Sequence, residues 1–177
     1  MRRGQPSGKP DFPYLRAVTI KNDRQEIMTH ITDIEKGNRD PRLISRLLEV
    51  WQASVRASHH FLTEADICAL APQAEEALRQ IGTLWVVCDG SQPVGFMGVQ
   101  ERKIEMLFLH PGHFRKGLGK ELVQRAFREL AVEYVDVNEQ NPDAIRFYER
   151  MGFKVFKRNE SDSEGNPFPI LEMKKTS

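Results

Sequence analysis

The sequence predicts a mixed α/β (α+β) domain, built on a mostly antiparallel central sheet with helices on both faces. Three observations carry that expectation. Two apolar runs, Leu84 to Asp89 and Pro93 to Gln100, flank Gly90-Ser91-Gln92 and read as a hairpin. A third run, Ile104 to Leu109, ends at Pro111. It passes through a short basic loop into Gly117-Leu118-Gly119 and a helical pattern, with Leu118, Leu122, Val123, Ala126, Phe127 and Leu130 at three- and four-residue spacing. Beyond it the chain reads strand, helix, strand, strand, an order that sets helices against both sides of one sheet.

The elements follow in turn. Met1 to Pro13 holds Arg2, Arg3, Gly4, Pro6, Ser7, Gly8, Pro10 and Pro13, a composition that resists a packed core. Residues 1–27 are therefore expected to be a flexible extension, or the product of an early start codon with Met28 as the true first residue. The folded domain is expected over 28–177, with Ile31 and Ile34 as its first apolar positions. Asp40-Pro41 opens a helix through Arg56, with Ile44, Leu47, Leu48, Trp51 and Val55 along one stripe. A second helix is expected over Thr63 to Gln80, interrupted near Pro72. After the hairpin and the glycine turn, a helix runs to about Ala131 and a strand covers Val132 to Asn138. Asn141 can cap the next helix, Pro142 suits its first turn, and Gly152 suits the stop after Met151. Phe153 to Arg158 and Ile170 to Lys174 are the last strands, joined by a turn at Glu164-Gly165-Asn166-Pro167.

At 177 residues the chain suits one domain with a sizeable core. Its 26 basic and 25 acidic side chains leave a net charge of +1, so no overall field draws it to nucleic acid or an anionic membrane. Cys68 and Cys88 have no metal or redox spacing, which implies a reduced, cytoplasmic setting. No signal-peptide core or membrane-length apolar stretch is present, so no membrane partner is expected.

The chemistry concentrates in residues 109–120. Strand, glycine turn and helix aim free backbone N–H groups at an anion; the helix dipole adds to the attraction, and Arg115, Lys116 and Lys120 add formal charge. A phosphorylated ligand is expected. It is not a nucleoside triphosphate of the P-loop kind: counting from Gly112, Gly117 is in place, but Leu118 and Gly119 stand where Lys and Ser or Thr are required. Nor is it a dinucleotide, since Leu122 occupies the third glycine position.

The turn resembles the signature of the GNAT acetyltransferase superfamily, Arg/Gln-x-x-Gly-x-Gly/Ala leading into a helix, with Phe114 where Arg or Gln is usual, then Gly117 and Gly119. A second segment, Asn141-x-x-Ala144-x-x-Phe147-Tyr148-x-x-x-Gly152-Phe153, is similar to the closing signature of the same superfamily and matches it throughout. Read as local structure alone, that segment is a capped amphipathic helix with Ile145, Tyr148 and Met151 packed inward. The order of elements over about residues 29–175 is the one the resemblance requires. Trp51 to Leu62, Leu84-Trp85-Val86, Pro93 to Met97 and Glu164 to Pro169 look like the bacterial YjaB-like subgroup of the superfamily.

The resemblance implies an N-acetyltransferase, with acetyl-CoA as co-substrate, no metal, and direct transfer to a primary amine in a ternary complex. The acceptor would be a small molecule or a protein or peptide lysine, the enzyme a monomer or homodimer, and nucleic acid not a partner. Two other readings stay open: a non-catalytic acyl-CoA sensor, and a toxin-like enzyme acetylating charged tRNA, which would favour a basic face. By resemblance the donor contacts are Leu107, Phe108, Leu109, Arg115, Lys116, Gly117, Leu118, Gly119, Lys120, Asn141 and Tyr148. Main chain near Leu109 would face the thioester oxygen, if the strand parts there from its neighbour, and Tyr148 would protonate the departing thiolate. An ordinary phenol, with a pKa of about 10, stays protonated at neutral pH; a Tyr that merely packs its ring fits the same position.

Glu105 is the candidate base for the amine, with Asp136 as rival carboxylate and acceptor contact; either can instead pair with a nearby cation. Strand alternation places Glu105 on one face with Leu107 and Leu109, opposite Ile104, Met106 and Phe108. His59 and His60 end the first helix and read either as a solvated cap that complements the helix dipole or as acceptor contacts. With no third ligand nearby they make no metal site.

Overall fold

A computed structural model describes residues 18–19 and 29–176. The expected extension over 1–27 and the alternative start at Met28 lie outside the described residues, apart from Val18–Thr19. Those two residues form a short strand, β1, paired antiparallel with β2 (Thr29–Asp33).

The first helix, α1 (Pro41–Ser58), begins where the sequence places it. The Asp40 carboxylate accepts the Leu43 N–H at 2.9 Å, and Pro41 takes the first turn, where its missing N–H costs nothing. Its buried stripe includes Ile44, Leu47, Trp51 and Val55. The second, α2 (Glu64–Gln80), starts on a capping box between Thr63 and Asp66. It runs through Pro72 without the expected interruption. Pro72 lies on the exposed face and its i−4 residue, Cys68, is also exposed, so the carbonyl that loses its partner can turn to water. Arg39 holds the far end of this helix. Its buried guanidinium donates to the carbonyls of Arg79 (3.0 Å), Ile81 (2.6 Å) and Gly82 (3.2 Å), and more loosely to Ile34 and Leu78.

The hairpin forms from β3 (Thr83–Asp89) and β4 (Gln92–Gln100), followed by β5 (Lys103–Leu109), α3 (Leu118–Leu130), β6 (Tyr134–Asn138), α4 (Pro142–Arg150), β7 (Phe153–Asn159) and β8 (Ile170–Lys175). The strand order is β1-β2-β3-β4-β5-β6-β8-β7, antiparallel throughout except between β5 and β6. Two apolar clusters sandwich the sheet. One gathers Leu122, Val123 and Ala126 of α3 and Tyr148 of α4 against Trp85, Met97, Val135 and Met173. The other packs Leu43, Leu47, Val50 and Trp51 of α1, with Leu78 of α2, against Leu84, Val86, Phe96 and Met106. The expected fold class holds, helices on both faces included.

Candidate active site

The one parallel junction among the described strands is short. β5 and β6 pair only at Lys103↔Tyr134 and Ile104↔Val135. Beyond that β5 stays with β4 as far as Gly95↔Leu109, while β6 stays with β8 as far as Asn138↔Ile170. The two strands part, and a cleft of about 950 Å³ opens between them. The His110 N–H donates to Val94 O at 2.7 Å, toward β4. Alternation along the strand then turns the Leu109 and Leu107 amides the other way, into the gap that β6 has left. The parting expected at Leu109 is present.

The glycine turn forms the upper wall. Gly117 sits at φ +85°, a left-handed backbone that an L side chain resists, and it caps α3. The first bond inside the helix is Glu121 N–H to Gly117 O, at 3.0 Å. The amides of Leu118, Gly119 and Lys120 therefore have no helical partner, and all three residues line the cleft. Arg115, itself at φ +59°, lines it as well. Lys116 is exposed outside the lining, so its placement adds only longer-range charge.

The opposite wall is α4. Asn141 is buried, and its side-chain oxygen accepts the Ala144 N–H at 3.1 Å, the expected cap. Tyr148 lines the cleft with its ring held edge-on by Phe147 and Phe153, at centroid distances of 5.0 and 5.6 Å. Burial pushes its phenol pKa above the ordinary value, so the proton stays in place at neutral and mildly alkaline pH.

At the base of the gap stand Lys103, Glu105 and Asp136. The Lys103 ammonium lies 2.6 Å from Asp136 and 3.4 Å from Glu105. Burial works against that ammonium, but the Asp136 and Glu105 carboxylates prevail and hold its pKa above the ordinary value. Burial raises the Glu105 pKa, Lys103 opposes the rise, and Asp136 adds to it. The face assignment for Glu105 needs correcting. Gly98 pairs with Met106 and Val99 with Ile104, so Glu105 is the extra residue of a bulge. The bulge resets the alternation. Ile104 shares the α3 and α4 side with Leu107 and Leu109, while Glu105 keeps company with Lys103 and Asp136.

The family profile described as an acetyltransferase (GNAT) domain matches residues 80–155. The peptidyl-lysine N-acetyltransferase YjaB of Salmonella typhimurium is 39% identical over 129 residues, which span 72% of this chain and 88% of that protein. The chain belongs to the GNAT acetyltransferase family. Its fold superimposes on the solution structure of apo YjaB from Escherichia coli with a TM-score of 0.72 and 32% identity, covering 84% of this chain and 98% of that one. A PaiA N-acetyltransferase from Thermoplasma acidophilum, in complex with coenzyme A, shares the fold at a TM-score of 0.63 and 20% identity, over 84% and 99% of the two chains. As a GNAT enzyme the protein is an acetyl-CoA-dependent acyltransferase.

In this GNAT cleft the two predicted histidines separate. His59 lines the cleft, part-buried between the rings of Phe61 (5.5 Å) and Phe108 (6.3 Å). Burial first, then its neighbour His60, lowers its pKa to about 4. The ring is neutral, so the solvated, dipole-complementing cap does not describe it. His60 is exposed at the turn and does not line the cleft. Sequence reasoning missed Ser58, Lys103, and the pair Phe61 and Phe168, whose rings meet at 5.8 Å where the turn after α1 approaches the turn before β8. It also missed Arg146 and Arg150 on α4, which line the cleft. The i, i+4 spacing of those two arginines was a readable sign that they share one helix edge.

Proposed function

We propose that this enzyme moves the acetyl group of acetyl-CoA directly onto the side-chain amine of a lysine in a protein or peptide, with donor and acceptor bound together. The observation that carries the reading is the parted β5 and β6. They bring a row of unpaired amides, a protonated phenol and a carboxylate to the walls of one cleft. YjaB, 39% identical in sequence and alike in fold, is named for peptidyl-lysine acetylation.

The residues present fit a coenzyme A thioester. The amides of Leu118, Gly119 and Lys120, backed by the α3 dipole and Arg115, hold its diphosphate. The donor supplies an activated carbonyl and a thiol leaving group. The Leu109 N–H faces the oxygen on which negative charge builds, a contact that strengthens as the charge develops. Leu107, Phe108 and Asn141 shape the channel for the donor's arm. Tyr148 gives its proton to the sulfur as the carbon–sulfur bond breaks, and regains one, directly or through water, from the nitrogen that has formed the new carbon–nitrogen bond. Glu105 takes a proton from the acceptor ammonium, directly or through water. Asp136 is the weaker candidate because Lys103 engages it at 2.6 Å and leaves Glu105 at 3.4 Å. Asp136 and His59 border the acceptor side, while His60 stays outside the cleft. An acyl-CoA sensor would need only the glycine turn, so the phenol in the cleft favours turnover.

No described helix is long and apolar enough to cross a membrane. The chain supplies every named site residue itself, so a monomer suffices, and we place the enzyme in the cytoplasm. Thiol release from acetyl-CoA, followed against lysine peptides, polyamines, aminoglycosides and free amino acids, tests the proposal. Lysine peptides should drive release most efficiently. A strong preference for polyamines or aminoglycosides would overturn the acceptor class, and tight donor binding with no amine-dependent release would overturn catalysis.

A further inference from the structure

At the end of α1 one hydroxyl decides which nitrogen of a histidine carries the proton. Ser58 Oγ lies 2.8 Å from the carbonyl oxygen of Ser54, one turn back, and 2.8 Å from Nδ1 of His59. A carbonyl oxygen can only accept, so the single Ser58 hydroxyl proton is committed to Ser54. Oγ then meets Nδ1 as an acceptor, and Nδ1 must hold a proton to donate to it. A neutral imidazole has one N–H, which leaves Nε2 bare. His59 lines the cleft, and with Nδ1 engaged by Ser58, Nε2 is the ring nitrogen left for a ligand in it.

We propose that His59 is an acceptor-binding residue, locked by Ser58 with its proton on Nδ1, so that its bare Nε2 accepts a hydrogen bond from the N–H of a cationic amine on an unbranched alkyl chain. The proposal deepens the lysine reading above and rests on it. The imidazole stands on an aromatic edge of the cleft: it packs on Phe108, which lines the cleft, and on Phe61, which in turn reaches Phe168. Such an edge suits a methylene stem and the face of an ammonium. It does not suit a hydroxyl-rich sugar amine, whose many polar groups would find few partners there. The low pKa of His59 agrees, because a protonated ring would meet the incoming ammonium with like charge.

Long-range ¹H–¹⁵N spectra of the imidazole nitrogens in the full chain test the lock without any substrate. The wild type should show a neutral ring protonated on Nδ1 at pH 7. Ser58→Thr should keep that form, and Ser58→Ala should release population to the Nε2–H tautomer. An Nε2–H ring or an imidazolium in the wild type would overturn the proposal, whatever the enzyme acetylates. Kinetics test the contact. His59→Ala should reduce kcat/KM for a lysine peptide by roughly tenfold to a hundredfold, the range for a hydrogen bond to a charged group. His59→Gln, whose amide can present an acceptor near the Nε2 position, should recover most of that loss, and His59→Asn should not. Equal losses in all three, with melting temperatures matched to wild type, would overturn the contact. Failure of the wild type on every lysine peptide, with the Nδ1–H signal present, would instead overturn the lysine reading.

Discussion

Tyr148→Phe removes one oxygen from the wall of the cleft and leaves the rest of the side chain in place. The ring keeps its edge-on contacts with Phe147 and Phe153 at 5.0 and 5.6 Å, so no cavity forms. The cost to stability is at most that of one hydrogen-bonding group, about 1 kcal/mol, which for a domain of this size lowers Tm by about 2–4 °C. Proton donation by a positioned acid is worth about a hundred- to ten-thousand-fold in rate, or about 3–5 kcal/mol of barrier. The catalytic effect therefore exceeds the structural one several-fold, and the two can be separated. With acetyl-CoA and a lysine peptide both saturating, thiol release should show kcat reduced by two orders of magnitude or more. The KM for acetyl-CoA should change little. Because burial holds the phenol pKa above its ordinary value, the wild-type rate should show no alkaline loss from phenol ionisation below about pH 10. A fall in kcat of less than threefold, with Tm within the range above, would refute the assignment and leave Tyr148 as a core residue that happens to border the cleft.

Three further outcomes follow from other parts of the structure. A raised Glu105 pKa means more of the protonated, inactive base at a given pH, so the acid limb of kcat/KM should lie above the usual carboxylate value of about 4.3. Glu105→Gln should abolish that limb and lower kcat by about a hundredfold, read from a pH profile between 4 and 9. Gly117→Ala meets no atom within 4 Å but must hold φ +85°, at a cost of about 1–2 kcal/mol. The strain falls on the amides proposed to hold the donor, so calorimetric affinity for coenzyme A should weaken by about tenfold while the lysine-peptide KM stays near wild type. Arg39→Met leaves the carbonyls of Arg79, Ile81 and Gly82 without their donor. Urea unfolding should show a loss of about 2–4 kcal/mol, with activity per folded molecule retained.

The parts of this fold that could be read from the sequence are those set by contacts a few residues apart. Asp40 accepts from Leu43, Thr63 pairs with Asp66, and Asn141 accepts from Ala144: each cap is fixed by a side chain and an amide three residues on. The glycine turn was legible for the same reason, since Gly117 needs a left-handed backbone just where α3 begins. Pro72 misled because its local cost depends on whether the orphaned carbonyl meets water, a property of the folded surface. The aromatic contact between Phe61 and Phe168 joins residues far apart in the chain, and nothing local marks either. Ser58 was hidden for a subtler reason. A serine at a helix end is ordinary, and its importance lies in where its one proton goes.

The bulge at Glu105 and the parting of β5 from β6 are best understood together. In a regular strand Glu105 would point with Leu107 and Leu109 toward α3, where a carboxylate would be driven into the apolar cluster of Leu122 and Val123. The extra residue turns it to the other side, beside Lys103 and Asp136, without disturbing the pairing of Met106 with Gly98. It also falls just after the last residue that β5 pairs with β6, Ile104. An unpaired residue adds local twist, and twist at that point carries β5 away from its parallel neighbour. One inserted residue thus accounts for two requirements of the chemistry. It sets a carboxylate at the proposed acceptor side, and it bares the amides of Leu107 and Leu109 to the proposed donor side. Deleting Glu105 should therefore do more than remove a base: it should restore the regular register, let β5 and β6 pair further, and abolish coenzyme A binding that Glu105→Gln retains.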